Sequence, residues 1–270
     1  MATWQCRGVN MTILIYIFLF IIGSVFASFI HLYVTRTLSG ESIIKPRSHC
    51  QNCNHQLKWY ELIPVISYIV NHGKCSKCNA KIGIDSLIVE ILLGLLFVVV
   101  YIRYGISYET LLGFIIACTL VAVSLSDFKE MIILDSTLIV SIIVTYLITF
   151  LSLGLRGIYK SFLYGIFAFV LLFVVKVLGD AVFKRESLGG GDIKLSFLMG
   201  SILPYNLFLS SMILGSMVAL PYALVLTKNS ENKELPFGPF LLLGLFIVFL
   251  FKNDIMNVVG VSAILERILL

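Results

Sequence analysis

Asp192 ends the run Gly189-Gly190-Gly191-Asp192 and is followed by Ile193-Lys194 and the apolar run Leu195 to Leu203. An ionisable side chain in an apolar span costs roughly 2.5 to 3.5 kcal/mol at a helix centre, so it sits in a cavity, at an interface, or where it has work to do. Glycines before it let the backbone take conformations closed to other residues and approach a bound chain closely. Gly and Asp are also ordinary helix caps, and a carboxylate suits the dipole at a helix start. A second carboxylate, Asp127, closes the apolar run Leu120-Val121-Ala122-Val123-Ser124-Leu125-Ser126. Two carboxylates facing a shared site do not easily both ionise, so one keeps a proton as acid while the other acts as base toward water. That pair is sufficient for amide hydrolysis: the base activates water and the acid protonates the departing nitrogen. Asp135 follows Asp127 closely and rivals it as the partner of Asp192, and Asp180 is a weaker candidate. Membrane carboxylates also carry ions or protons. Spacing alone leaves a hydrolase and a transporter equally open, and does not choose among the partners.

A second constellation is Cys50-x2-Cys53 with Cys75-x2-Cys78. Paired knuckles of this kind present four thiolates tetrahedrally, as in zinc ribbons, and four cysteines fill a structural site without leaving a catalytic position open. Two disulfides would suit an oxidising compartment, whereas the charge pattern below places this loop in the reducing cytoplasm. Cys6 and Cys118 stand alone and read as small apolar residues. His49 and His55 flank the first knuckle and, with four cysteines present, read as surface residues rather than ligands.

The elements that carry these groups are membrane helices. The chain is 270 residues long, 59% hydrophobic and 13% charged, with a mean hydropathy of +1.00, too apolar to cover a soluble surface with polar groups. Stretches near the ~20 residues needed to span a bilayer fall at 12–34, 86–102, 107–126, 132–153, 158–179, 190–203, 205–227 and 236–251. The sixth is short. The first is too long for a signal-peptide core and lacks a small-residue cleavage site, so it reads as a retained span. With the N-terminus outside, 14 of the 20 Lys and Arg residues fall on the cytoplasmic side, seven of them in 35–85, as the positive-inside rule requires. Asp127 and Asp192 then share one membrane face. The net charge of +5 reflects topology, and nothing in it calls for nucleic acid. The expected fold is an all-α polytopic membrane protein of about eight transmembrane helices, with a small cytoplasmic zinc-ribbon-like segment after the first helix. That segment is too small to bury much core and needs a staple such as a metal.

Taken together, the chain resembles the bacterial type IV prepilin peptidases (prepilin leader peptidase/N-methyltransferase), aspartic membrane proteases of the GxGD group. The residues that carry the likeness are Ser28-Phe29 through Arg36, Pro46-Arg47-Ser48-His49-Cys50-Gln51-Asn52-Cys53, Trp59 through Tyr68, Gly73-Lys74-Cys75-Ser76-Lys77-Cys78, Asp127-Phe128-Lys129 to Asp135, Gly189 to Lys194, and Pro236-Phe237-Gly238-Pro239-Phe240-Leu241. The resemblance implies that Asp127 and Asp192 are the catalytic pair, with Asp135 a neighbour. It implies a prepilin or pseudopilin precursor as substrate, with a short basic leader ending in Gly before a hydrophobic helix. Cleavage is expected at the cytoplasmic face of the cell membrane, followed by methylation of the new N-terminal amine from S-adenosylmethionine. No Gly-rich dinucleotide fingerprint marks a donor site. The expected division is a first transmembrane helix at 12–34, a metal-binding, methyltransferase-associated segment at 35–85, a membrane protease domain at 86–251 and a tail at 252–270. From Asn253 onward the tail reads as an amphipathic surface helix.

Overall fold

A computed structural model describes residues 2–50, 52–184, 186–229 and 235–258. The tail beyond residue 258 and the side chain of Cys6 lie outside the described residues. Among those described, regular structure is helical, with isolated bridges only at His49 with Gln56 and Lys74 with Lys81. Among the described residues, five helices are long and apolar enough to cross a membrane, spanning Met11–Leu38, Ile84–Tyr104, Tyr108–Glu130, Asp135–Phe183 and Tyr205–Leu226. The chain divides into two compact units, residues 1–105 and 106–270.

The first unit is built on α1 (Ala2–Leu38) and α3 (Ile84–Tyr104), with the short α2 (Ile66–Val70) and a 3-10 turn at Trp59–Leu62 in the segment between them. α1 and α3 cross on small residues: a Cβ on Gly23 would lie 2.8 Å from the Cα of Gly94, and one on Gly94 would lie 2.7 Å from the Phe20 ring. Such close crossings favour packing and interhelical hydrogen bonds in a bilayer. The Ser24 hydroxyl adds one, donating to the backbone carbonyl of Glu90 at 3.0 Å. Ala27, Val34, Leu93, Phe97 and Val100 are buried at the seam, whereas Phe18, Phe29, Leu95 and Ile102 face outward, as lipid contact requires.

The second unit is centred on α4 (Tyr108–Glu130), which Ser107 caps by accepting the Thr110 N–H at 3.3 Å. α5 runs Asp135–Phe183 and departs from helical geometry at Gly154, with φ 65° and ψ −162°. Spans expected at 132–153 and 158–179 therefore fall within one interrupted helix. Glycine is the residue that takes such a φ without strain. α6 (Gly190–Ile202), α7 (Tyr205–Asn229), α8 (Gly238–Leu250) and α9 (Lys252–Val258) complete the unit. α6 lies close against α5, since a Cβ on Gly200 would come within 2.5 Å of Ala168 Cβ. Thr119 and Ser141 hydroxyls meet at 2.7 Å between α4 and α5, and Tyr146 and Ser201 at 3.0 Å between α5 and α6. These bonds hold the helices that carry the carboxylates.

Candidate active site

Asp127 lies in the last turn of α4 and is buried, with 6% of its surface exposed. Its Oδ2 accepts the backbone N–H of Gly238 at 3.1 Å. Gly238 opens α8, where the first-turn N–H groups have no partner within the helix and the dipole favours an anion. Pro239 next to it lacks an N–H and suits a helix start. A Cβ on Gly238 would lie 2.9 Å from Ile133 Cδ1 and 3.1 Å from Asp127 Oδ2. Only a glycine lets the backbone come this close to the carboxylate without displacing its neighbours.

Asp192 sits in the first turn of α6, 8% exposed, and close enough to Asp127 for the two charges to act on each other. Among the described residues neither carboxylate has a cation partner. The three preceding glycines do not serve the backbone as expected: positive φ occurs at Gly40, Gly73, Gly105 and Gly154, not here, and Gly189 has an ordinary extended conformation. What the structure uses is the missing side chain. A Cβ on Gly191 would lie 3.0 Å from Ile133 Cβ, one on Gly189 would lie 3.2 Å from Asp192 Oδ2, and one on Gly190 meets nothing within 4 Å. Ile133 thus packs against both Gly191 and Gly238. It had no mark in the sequence beyond its place between Asp127 and Asp135.

The other carboxylates are engaged elsewhere. Asp135, the first residue of α5, is exposed and receives Lys194 Nζ at 2.7 and 2.8 Å on its two oxygens. This pair stands at the lip of an apolar groove of about 470 Å³ lined by Leu138, Ile142, Phe162 and Phe197. Asp180 accepts the Ser187 N–H at 2.7 Å and hydroxyl at 2.8 Å, closing the loop after α5.

In the first unit, the sulfurs of Cys50, Cys53, Cys75 and Cys78 all lie within 4.8 Å of one another, a set that could hold a metal ion. Cys50 and Cys78 Sγ are 3.8 Å apart, and Cys53 and Cys75 Sγ 3.9 Å. Tetrahedral metal–sulfur bonds of about 2.3 Å place sulfurs roughly 3.8 Å apart, so the thiols fit such an ion. Backbone N–H groups of Cys53 and then Asn52 pull the Cys50 thiol down to about 6 and the Ala80 N–H lowers Cys78, whereas at Cys53 the His55 N–H is outweighed by desolvation and the neighbouring sulfurs, which raise the thiol to about 11. Neither flanking histidine joins them. His49 Nδ1 lies 3.0 Å from the Arg47 carbonyl, and His55 faces Glu61 at 3.6 Å. Glu61 also accepts the Lys58 N–H at 2.8 Å and the Ser76 hydroxyl, linking the two knuckles. Those bonds, the Lys58 N–H first, hold its carboxyl below the usual range.

Comparison with known proteins places these two regions in one family. Residues 21–104 match the model described as Bacterial Peptidase A24 N-terminal domain, and residues 114–224 match the Type IV leader peptidase family. The chain is 32% identical over 219 residues to a prepilin leader peptidase/N-methyltransferase of Pseudomonas putida, covering 78% of this chain and 74% of that protein. A protein of the same name from Bacillus subtilis is 29% identical over 247 residues, 88% of this chain and 95% of the relative. The match to the Myxococcus xanthus protein, 30% identical, spans 74% of this chain and 60% of the relative's length. No solved structure matches. The chain belongs to the type IV leader peptidase family.

Proposed function

We propose that this protein is an aspartic endopeptidase of the membrane that removes the leader of type IV prepilins or pseudopilins, using Asp127 and Asp192. Family membership removes the proton-coupled transporter that the residues alone leave open. The observation that carries the proteolytic reading is the pair itself: two buried carboxylates on α4 and α6, within electrostatic reach and without a cation among the described residues. One carboxyl takes a proton from the attacking water as the other protonates the leaving nitrogen. The Gly238 N–H holds one oxygen of Asp127 and so leaves its other oxygen for water or substrate.

The second activity is N-methylation of the amine that cleavage exposes, with S-adenosylmethionine supplying the methyl group. The names of the relatives support it. Its association with residues 35–85 is part of the same proposal, with the protease in 86–251. The four cysteines would hold zinc, chosen by four soft ligands in a tetrahedral array, and the ion would be structural. We place the protein in the cytoplasmic membrane with the aspartates at the cytoplasmic face, as the distribution of Lys and Arg supports. Mass spectrometry of a coexpressed prepilin tests both activities at once: leader loss reports the protease, and an added 14 Da reports the methyl group. An intact precursor beside well-inserted protein contradicts the reading.

A further inference from the structure

Glu90 is a buried carboxylate, 5% exposed, that the proteolytic reading does not use, and no cation pairs with it among the described residues. Its Oε2 accepts the backbone N–H of Val65 at 2.8 Å and its Oε1 the Ser86 hydroxyl at 3.2 Å. Its own carbonyl accepts the Ser24 hydroxyl of α1 at 3.0 Å. Glu90 is therefore fixed to the α1–α3 crossing at its backbone and reaches with its side chain into the cysteine-bearing segment.

What it holds there is unusual. Val65 has φ 61° and ψ −53°, and the Ile66 N–H donates to the Pro64 carbonyl at 2.6 Å. This is a γ-turn of the positive-φ kind, which is rare and strained, and a β-branched residue at positive φ is an outlier. The turn starts α2, which ends at Val70; just beyond it the Gly73 N–H donates to the Tyr68 carbonyl at 2.9 Å, two residues before Cys75. Val65 thus stands at the head of the stretch that leads into the second knuckle, and its bond to Glu90 ties that stretch to α3. A strained turn persists where its surroundings over-determine it, and such turns cluster at functional sites.

We propose that Glu90 is a positioning residue for methyl transfer: by accepting the Val65 N–H it clamps the strained turn and seats the four-cysteine segment on α3 in its working orientation. This rests on the reading that residues 35–85, which Glu90 holds from α3, serve methylation. It requires an acceptor at residue 90, not a charge, so the conservative amide should serve while a methyl group should not.

The test uses the full-length protein in lipid nanodiscs, as wild type, Glu90→Ala, Glu90→Gln, Val65→Gly and the Val65→Gly/Glu90→Ala double variant. Amide hydrogen exchange is followed over residues 63–71, with cleavage and methylation of a prepilin measured alongside. Glu90→Ala should raise exchange at 65–67 at least tenfold and lower methylation kcat about tenfold, the equivalent of about 1.4 kcal/mol, with cleavage within twofold. Glu90→Gln should stay within about threefold of wild type, because its amide oxygen still accepts the N–H. Val65→Gly in the Glu90→Ala background should recover most of the loss, since glycine takes this φ without a clamp. The proposal is overturned if exchange over 63–71 is unchanged in Glu90→Ala, if Glu90→Gln is as impaired as Glu90→Ala, or if the double variant is no better than the single. A wild-type protein that cleaves but never methylates ends the methylation reading, and exchange over 63–71 in Glu90→Ala against Glu90→Gln then still decides the clamp.

Discussion

Gly238 donates its N–H to Asp127 Oδ2 at 3.1 Å across a separation of 111 residues, joining the start of α8 to the end of α4. The bond needs the absence of a side chain, because a Cβ would meet Ile133 and the carboxylate itself. Gly238→Ala should therefore move Asp127 without removing it. Displacements on the order of 1 Å at a reacting group lower rates by about a hundredfold, so prepilin cleavage should fall by roughly ten- to a hundredfold with normal membrane insertion. Cleavage kinetics in detergent or nanodiscs check this, and a wild-type rate for Gly238→Ala would contradict the contact.

The glycines before Asp192 should differ among themselves. Gly191→Ala places a methyl 3.0 Å from Ile133 Cβ and Gly190→Ala meets open space. Cleavage should drop several-fold or more in the first and stay within about twofold in the second, since alanine is the better helix residue. Trimming Ile133 to Val in the Gly191→Ala background should restore part of the loss. Equal impairment at 190 and 191 would point to substrate contact rather than packing.

Asp135 and Lys194 form an exposed pair, and such pairs contribute about 0 to 1 kcal/mol. Asp135→Asn and Lys194→Met should each leave cleavage within a few-fold and lower the midpoint of thermal unfolding slightly. Loss of cleavage in Asp135→Asn with retention in Asp127→Asn would exchange their assigned roles.

The cysteine set makes a prediction of its own. Purified protein should carry about one zinc per chain by elemental analysis. Cys78→Ser, or metal removal by a chelator, should open residues 36–85 to proteolysis, because a segment this small is stabilised by its ion. Methylation should fall by more than tenfold while cleavage persists. Intramolecular disulfides in cells and a protein without zinc or iron would contradict a metal-held segment.

What the sequence made legible follows the reach of each signal. The cysteine spacing announces a four-sulfur cluster, because the knuckle geometry is local to each Cys-x2-Cys pair. Apolar length announces membrane helices, though not that the stretches on either side of Gly154 run as one interrupted helix, which depends on a single φ of 65°. The positive-inside count placed Asp127 and Asp192 on one face, and they are near one another in the fold. The glycine run was legible as important, though not for unusual backbone angles: its backbone is ordinary, and close approach to Ile133 crowds any side chain at Gly191. The bonds from Gly238 to Asp127, Lys194 to Asp135 and Val65 to Glu90 join residues distant in the chain, and no single-sequence pattern specifies such partners.

The central claim is the aspartate pair, and the most direct measurement is leader removal by Asp127→Asn and Asp192→Asn, read by mass spectrometry on a coexpressed prepilin with membrane insertion monitored in parallel. Asn keeps the shape of Asp but cannot hold or release the proton, and acid–base groups of this kind contribute about 10² to 10⁴ in rate. Each variant should insert, bind precursor and leave the leader in place, with residual cleavage down by about a thousandfold. Processing at near wild-type rate in both variants would contradict the aspartic mechanism.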